Sequence, residues 1–253
     1  MRRILLALAA SLLTLTAAMT TASSVAADPA PVSAEDVHAA DGCYTWGRSL
    51  SQGASGEDVR QLQIRVSGYP GYGSVIALDG AFGPATKAAV VRFQQAYGLA
   101  ADGIAGPATF GKIYELQDDD CTPIHFTYAE LNRCNSDWSG GRVSAADAKF
   151  NARVTMWKLE ALRHAMGDRP LQVNSGFRSV ACNNAAGGSS TSRHMYGDAA
   201  DLGAGSQGFC TIAKQARNHG FTEILGPGYP DHNDHVHTAL RSGQFWSAPN
   251  CGI

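Results

Sequence analysis

The hydrophobic pattern changes character several times along the chain. Residues 4–18 are an uncharged apolar run dominated by Leu and Ala, preceded by Arg2-Arg3 and followed by Ser24-Val25-Ala26-Ala27. A positive start, a short apolar core and small residues at a cleavage-like position are the layout of a secretory signal peptide over 1–27, and the run is short for a membrane span. Residues 28–42 are rich in Ala, Pro and acidic residues and read as a linker or pro-segment. From there the period becomes helical. A helix starting at Ser55, with Asp58 as its capping partner, places Val59, Leu62 and Val66 on one face. A second carries Val90, Phe93 and Tyr97 on one face and ends at Gly98. It is introduced by Asp79-Gly80-Ala81-Phe82-Gly83-Pro84-Ala85-Thr86, which recurs 23 residues later as Asp102-Gly103-Ile104-Ala105-Gly106-Pro107-Ala108-Thr109. In each copy Gly supplies a turn and Pro opens a helix, where its missing N–H costs nothing. Residues 43–121 therefore predict a small three-helix domain.

An acidic run and a proline, Asp118 to Pro123, mark a boundary, and 122–253 follow a different pattern. A long helix is predicted from Ser144, capped with Asp147, to about Met166, with Phe150, Val154, Trp157 and Ala161 as a packing stripe. Leu171 to Phe177 reads as a strand leading into Arg178. Ser206 to Asn218 reads as a helix with Ser206 near its N-cap, and Phe221–Leu225 and Asp234–Leu240 as strands. Helices and strands mixed without regular βαβ spacing predict an α+β domain built on an antiparallel sheet.

Composition narrows the partners. With 44% hydrophobic and 17% charged residues the chain is too apolar for disorder, and 20 Lys+Arg against 22 Asp+Glu leave net charge −2. There is no basic excess to neutralise nucleic acid. Cleavage after residue 27 would remove Arg2 and Arg3 and take the charge to −4. No other stretch could span a bilayer, so a soluble exported product, without a membrane span after processing and monomeric, is expected. Export makes disulfides the default for the six cysteines. Cys43 and Cys121 bracket the first domain, and the simplest pairing is Cys43–Cys121, Cys134–Cys182 and Cys210–Cys251. The first closes a loop that the chain-entropy picture values at roughly 4 kcal/mol.

Four of the eight histidines, His194, His232, His235 and His237, stand in two short polar patterns. One is Ser192-Arg193-His194-Met195-Tyr196-Gly197-Asp198-Ala199-Ala200-Asp201; the other is Asp231-His232-Asn233-Asp234-His235-Val236-His237. On a strand His235 and His237 would share a face. Spacing alone selects His194, Asp201 and one of His235 or His237 as ligands of a catalytic zinc, which takes three protein ligands and keeps one position open.

Two resemblances extend this reading. Leu50-Ser51-Gln52-Gly53, Val59-x-x-Leu62-Gln63 and the two Asp-Gly repeats resemble the peptidoglycan-binding domain of cell-wall hydrolases over about 49–117. Ser192-x-His194-x-x-Gly197-x-Ala199-x-Asp201 with Asp234-x-x-His237 resembles the signature of the zinc D-Ala-D-Ala metallopeptidases. That resemblance implies one catalytic Zn²⁺ on His194, Asp201 and His237, with Asp234 as general base. His235 and His232 could share that role or stabilise an oxyanion. Arg178, in Gly176-Phe177-Arg178-Ser179, matches the family's active-site arginine and would grip a substrate carboxylate or the scissile carbonyl oxygen. The implied activity is a secreted, wall-associated carboxypeptidase removing the terminal D-Ala from peptidoglycan stem peptides. An endopeptidase using the same site is the alternative. A penicillin-binding serine peptidase is excluded, because none of the five lysines has Ser three residues before it, so Ser-x-x-Lys is absent.

Overall fold

The repeated Asp-Gly turns are held by two buried glutamines, one for each copy. In the computed structural model, which describes residues 43–253, Gln63 Nε2 donates to Asp79 Oδ1 (2.8 Å), Ala81 O (3.0 Å) and Thr86 Oγ1 (3.1 Å), while its Oε1 accepts from Gly80 N (2.9 Å). Gln94 repeats the set with Asp102 (3.0 Å), Ile104 O (3.0 Å), Thr109 (3.1 Å) and Gly103 N (2.9 Å). Each amide clamps its turn from within, beside an isolated β-bridge (Ser55–Ala81 in one copy, Leu50–Ala105 in the other), so the repeat is structural. Both side chains are buried. Gln94→Ala strands several of these groups and is expected to lower stability by about 2–4 kcal/mol, read as a fall in thermal midpoint.

The first turn leads into helix α2 (Pro84–Ala96) and the second into α3 (Pro107–Glu115), while helix α1 (Glu57–Arg65) lies ahead of both. The start of α1 departs from expectation: Gly56 is the N-cap, and Ser55 forms a β-bridge with Ala81. Asp58 accepts from its neighbour Val59 N and from Arg48 rather than closing a capping box. The signal-peptide and linker assignments lie outside the described residues.

The remaining elements are α4 (Tyr128–Leu131), α5 (Ala145–Ala165), β1 (Val173–Ser175), α6 (Val180–Ala185), β2 (Ala199–Leu202), α7 (Phe209–Ala216), β3 (Glu223–Leu225), β4 (Val236–Ala239) and β5 (Phe245–Ser247). The strands form one sheet in the order β1-β2-β4-β3-β5, antiparallel except for β3 beside β5. The α+β class holds. Strand edges are shorter than the pattern suggested, and α7 starts after Gly208 rather than at Ser206. Short α4 and α6 and strand β5 have no counterpart in the sequence pattern.

Helix α5 begins as expected, with Asp147 N donating to Ser144 Oγ at 3.1 Å. Its environment differs from a one-sided amphipathic helix. Ala148, Ala152, Met156, Leu159 and Leu162 enter the core beneath the sheet, whereas Val154, Trp157 and Ala161 enter the core of α1–α3. The Phe150-Val154-Trp157-Ala161 stripe is core, as expected, but of the N-terminal helices. Trp157 Nε1 donates to Cys121 O (3.1 Å), tying the boundary segment to the same helix. The disulfides are Cys43–Cys121, Cys134–Cys182 and Cys210–Cys251. The second joins the segment after α4 to α6, just beyond Arg178. No helix among the described residues is long and apolar enough to cross a membrane.

Candidate metal centre

Three short segments converge at the middle of the sheet. The first is a 3-10 turn at Arg193–Tyr196, which ends on Gly197 with φ of 80°. A Cβ at Gly197 would lie 2.2 Å from Ala148 O on α5, so the motif glycine is needed for both its conformation and its close approach. Asn151 Nδ2 donates to Tyr196 O (2.9 Å) and fixes the turn on α5. The Arg193–Asp198 ion pair clasps the turn. These contacts aim His194 at the sheet. The second segment is β2 and the third β4, paired in a register that puts Asp201 directly opposite His237.

His194 Nε2, Asp201 Oδ1 and His237 Nδ1 meet there. The separations are 3.0 Å (His194–Asp201), 3.2 Å (His194–His237) and 2.9 Å (His237–Asp201). All three residues are buried, and among the described residues they form a group that could hold a metal. A tetrahedral zinc with bonds near 2.0 Å sets its ligand atoms about 3.3 Å apart, close to this triangle. The atoms that do not converge are each anchored. His194 Nδ1 faces Gly176 O (2.5 Å), His237 Nε2 faces Glu223 Oε1 (3.2 Å), and Asp201 Oδ2 accepts from Arg178 Nη2 (2.6 Å). Such outer partners orient the ligands, and the acceptors behind His194 and His237 also raise the basicity of those imidazoles. Two imidazoles and one carboxylate, buried and held from behind, fit zinc.

The electrostatics agree. Burial works against the Asp201 carboxylate, yet His194 and His237 hold it well below the usual range. Burial pushes His194 down. Burial also opposes charge on His237, but hydrogen bonds to Asp201 and Glu223 outweigh it and raise the imidazole to about 9. Two carboxylates flanking one imidazole demand positive charge at this point, a demand that a divalent cation meets.

His235 does not share a strand face with His237, because β4 begins only at Val236. The turn before β4 instead brings His235 in from the side. His235 Nδ1 is 2.8 Å from Asp234 Oδ1, and Nε2 is 3.8 Å from Asp201 Oδ1, beside the ligand atoms. The Asp234 side chain is 89% exposed, and its carboxylate is lowered by the hydrogen bond to His235. His232 packs on both, with ring centroids 4.7 Å from His235 and 6.0 Å from His237. Its Nδ1 is 2.6 Å from Pro230 O. Burial lowers its pKa. Arg178 Nε donates to Ser175 Oγ (2.9 Å), and Nη1 has no protein partner among the described residues.

Glu223, Ser175 and the Gly176 carbonyl carry no signal in the sequence. Glu223 lies on β3, Ser175 on β1, and both reach the site only through strand pairing. Arg241 Nη1 donates to the other Glu223 oxygen at 3.1 Å, so that carboxylate is itself positioned. No local motif flags it.

Comparison with known proteins follows the two-part organisation. Residues 124–239 match the Peptidase M15 family and residues 55–113 the peptidoglycan binding domain family. The chain is 75% identical over 232 residues, 91% of each chain, to a zinc D-Ala-D-Ala carboxypeptidase of Streptomyces albus G. It is 44% identical over 61 residues to an N-acetylmuramoyl-L-alanine amidase of Mycobacterium tuberculosis, covering 24% of this chain and 14% of that one. A crystal structure of a peptidoglycan-binding protein from Clostridioides difficile is 43% identical, covering 26% of this chain and 39% of that one with a TM-score of 0.23.

Proposed function

The chain belongs to the zinc D-Ala-D-Ala carboxypeptidase family, and on that premise we infer that it removes the terminal D-Ala from peptidoglycan stem peptides. The observation that carries this reading is the convergence of His194, Asp201 and His237, each held from behind by a separate partner. These three hold the zinc. When bound, zinc supplies a Lewis acid that polarises the scissile carbonyl and acidifies water.

The other side chains divide the remaining work. His235 presents Nε2 beside the ligand atoms with Nδ1 on Asp234, so Nδ1 carries the proton and Nε2 is free to accept one. It takes a proton from the attacking water and returns it to the departing D-Ala nitrogen. Asp234 fixes the tautomer and stabilises the imidazolium that forms. It is a positioning residue for His235 rather than the base itself. His232 packs against His235 and limits its rotation. Arg178 keeps Asp201 oriented through Nη2 and offers Nη1 to the carboxylate of the terminal D-Ala.

Residues 43–121 form the wall-binding module and 122–253 the catalytic module. The protein acts outside the cell, as a monomer, on the wall that the first module holds. The grip of Arg178 on a free carboxylate separates a carboxypeptidase from an endopeptidase. With Nα-acyl-L-Lys-D-Ala-D-Ala and its C-terminal amide as substrates, kcat/KM should fall about 10²-fold on amidation. In Arg178→Lys the difference should shrink. Equal rates on acid and amide would favour the endopeptidase.

A further inference from the structure

A cavity of about 360 Å³ lies where the loop after α1 and helix α2 meet α5 and the end of α7, and none of its lining residues belongs to the zinc centre. We propose that this seam binds a carboxylate-bearing segment of wall peptide, as a site separate from the scissile one. The proposal rests on the peptidoglycan reading above and names a second contact for the same polymer.

Three polar groups in the cavity lack protein partners. Arg92 makes no hydrogen bond or ion pair among the described residues, and neither does the Asn218 side-chain amide. His219 is only 7% exposed, and its Nδ1 donates to Gly68 O at 2.7 Å, which leaves Nε2 as an unpartnered acceptor in a nine-tenths buried side chain. The Arg92 guanidinium lies flat against Gly71. A Cβ there would fall 2.9 Å from Cζ and 3.0 Å from Nη2, and Gly71 has φ of +90°. Arg92 is exposed, and its guanidinium packs over this glycine at the rim of the cavity. Tyr69 and Tyr72 supply aromatic walls. A guanidinium fork matches a carboxylate, an amide matches a peptide group, and a buried imidazole acceptor matches an N–H. A short peptide with a free carboxylate presents all three. The volume is that of a small-ligand site. Arg92 also borders a second cavity, of about 410 Å³, with Lys87 and Gln95, so a longer segment could continue along α2.

The test uses the full zinc-loaded chain and N-acetyl-L-Ala-D-Glu, which carries stem-peptide carboxylates but no D-Ala-D-Ala terminus to cleave. In NMR titration, signals of Gly71, Asn218 and His219 should shift saturably. Arg92→Ala, checked for unchanged zinc content and thermal midpoint, should weaken binding at least about tenfold, with Asn218→Ala weakening it less. The doubly amidated dipeptide should give no shift. Absent shifts at the seam, equal binding by Arg92→Ala, or equal shifts with inorganic phosphate would overturn the proposal. Because the dipeptide is not a substrate, failure here is distinct from failure of D-Ala release, which alone would refute the catalytic reading.

Discussion

Replacing His237 by Ala should abolish zinc retention and reduce D-Ala release by about 10³–10⁴-fold or more, because Lewis acidity and an acidified water are lost together. His237 sits between Asp201 and Glu223, so its removal leaves two carboxylates close together without the group that joins them. The check is metal content by mass spectrometry alongside circular dichroism, with His237→Gln as a second variant in case the alanine protein is unstable. Glu223 gives a graded companion. Glu223→Gln keeps all three ligands but weakens the carboxylate behind His237, and should cost about 10–100-fold in zinc affinity. A His237→Ala protein that keeps stoichiometric zinc at the site and full turnover would remove His237 from the ligand set.

The second large effect concerns the proton-transfer group. His235→Ala should retain zinc and lose about 10²–10⁴-fold in kcat. Asp234→Asn should also retain zinc and lose less, since its carboxylate acts through His235. The double variant should be no worse than His235→Ala alone, because both changes disable one unit. If Asp234 were itself the base, Asp234→Asn would cost at least as much as His235→Ala and the two losses would multiply. Its side chain, 89% exposed and turned onto His235 Nδ1, argues for the coupled arrangement.

The ligand candidates were legible because each lies in a compact polar pattern, and spacing narrowed them to His194, Asp201 and one of two histidines. Spacing could not choose between His235 and His237. That choice depends on where β4 begins, and the loop before it, held by Gly228 N to Asn233 Oδ1 (2.9 Å) and the Gly226–Tyr229 turn, delays the strand to Val236. The groups behind the ligands were invisible for a different reason. Glu223, Ser175 and Gly176 O come from strands and loops brought together only by sheet order β1-β2-β4-β3. The helical half was read from its repeat, yet Gln63 and Gln94 gave no sign of clamping the turns, since a buried amide has the same sequence signature as a surface one. The apolar stripe on α5 announced burial but not against which core. Only the structure assigns Val154, Trp157 and Ala161 to the helices of the first module.

If one zinc on His194, Asp201 and His237 drives removal of a terminal D-Ala, activity must follow the metal. The most direct measurement is D-Ala release from Nα-acyl-L-Lys-D-Ala-D-Ala by the protein as purified, after exhaustive chelation, and after addition of one equivalent of Zn²⁺. Release, near-complete loss on chelation and recovery with zinc are expected, with penicillin having no effect at any stage. Release that survives complete removal of the metal, or a zinc-loaded protein that releases no D-Ala, would contradict it.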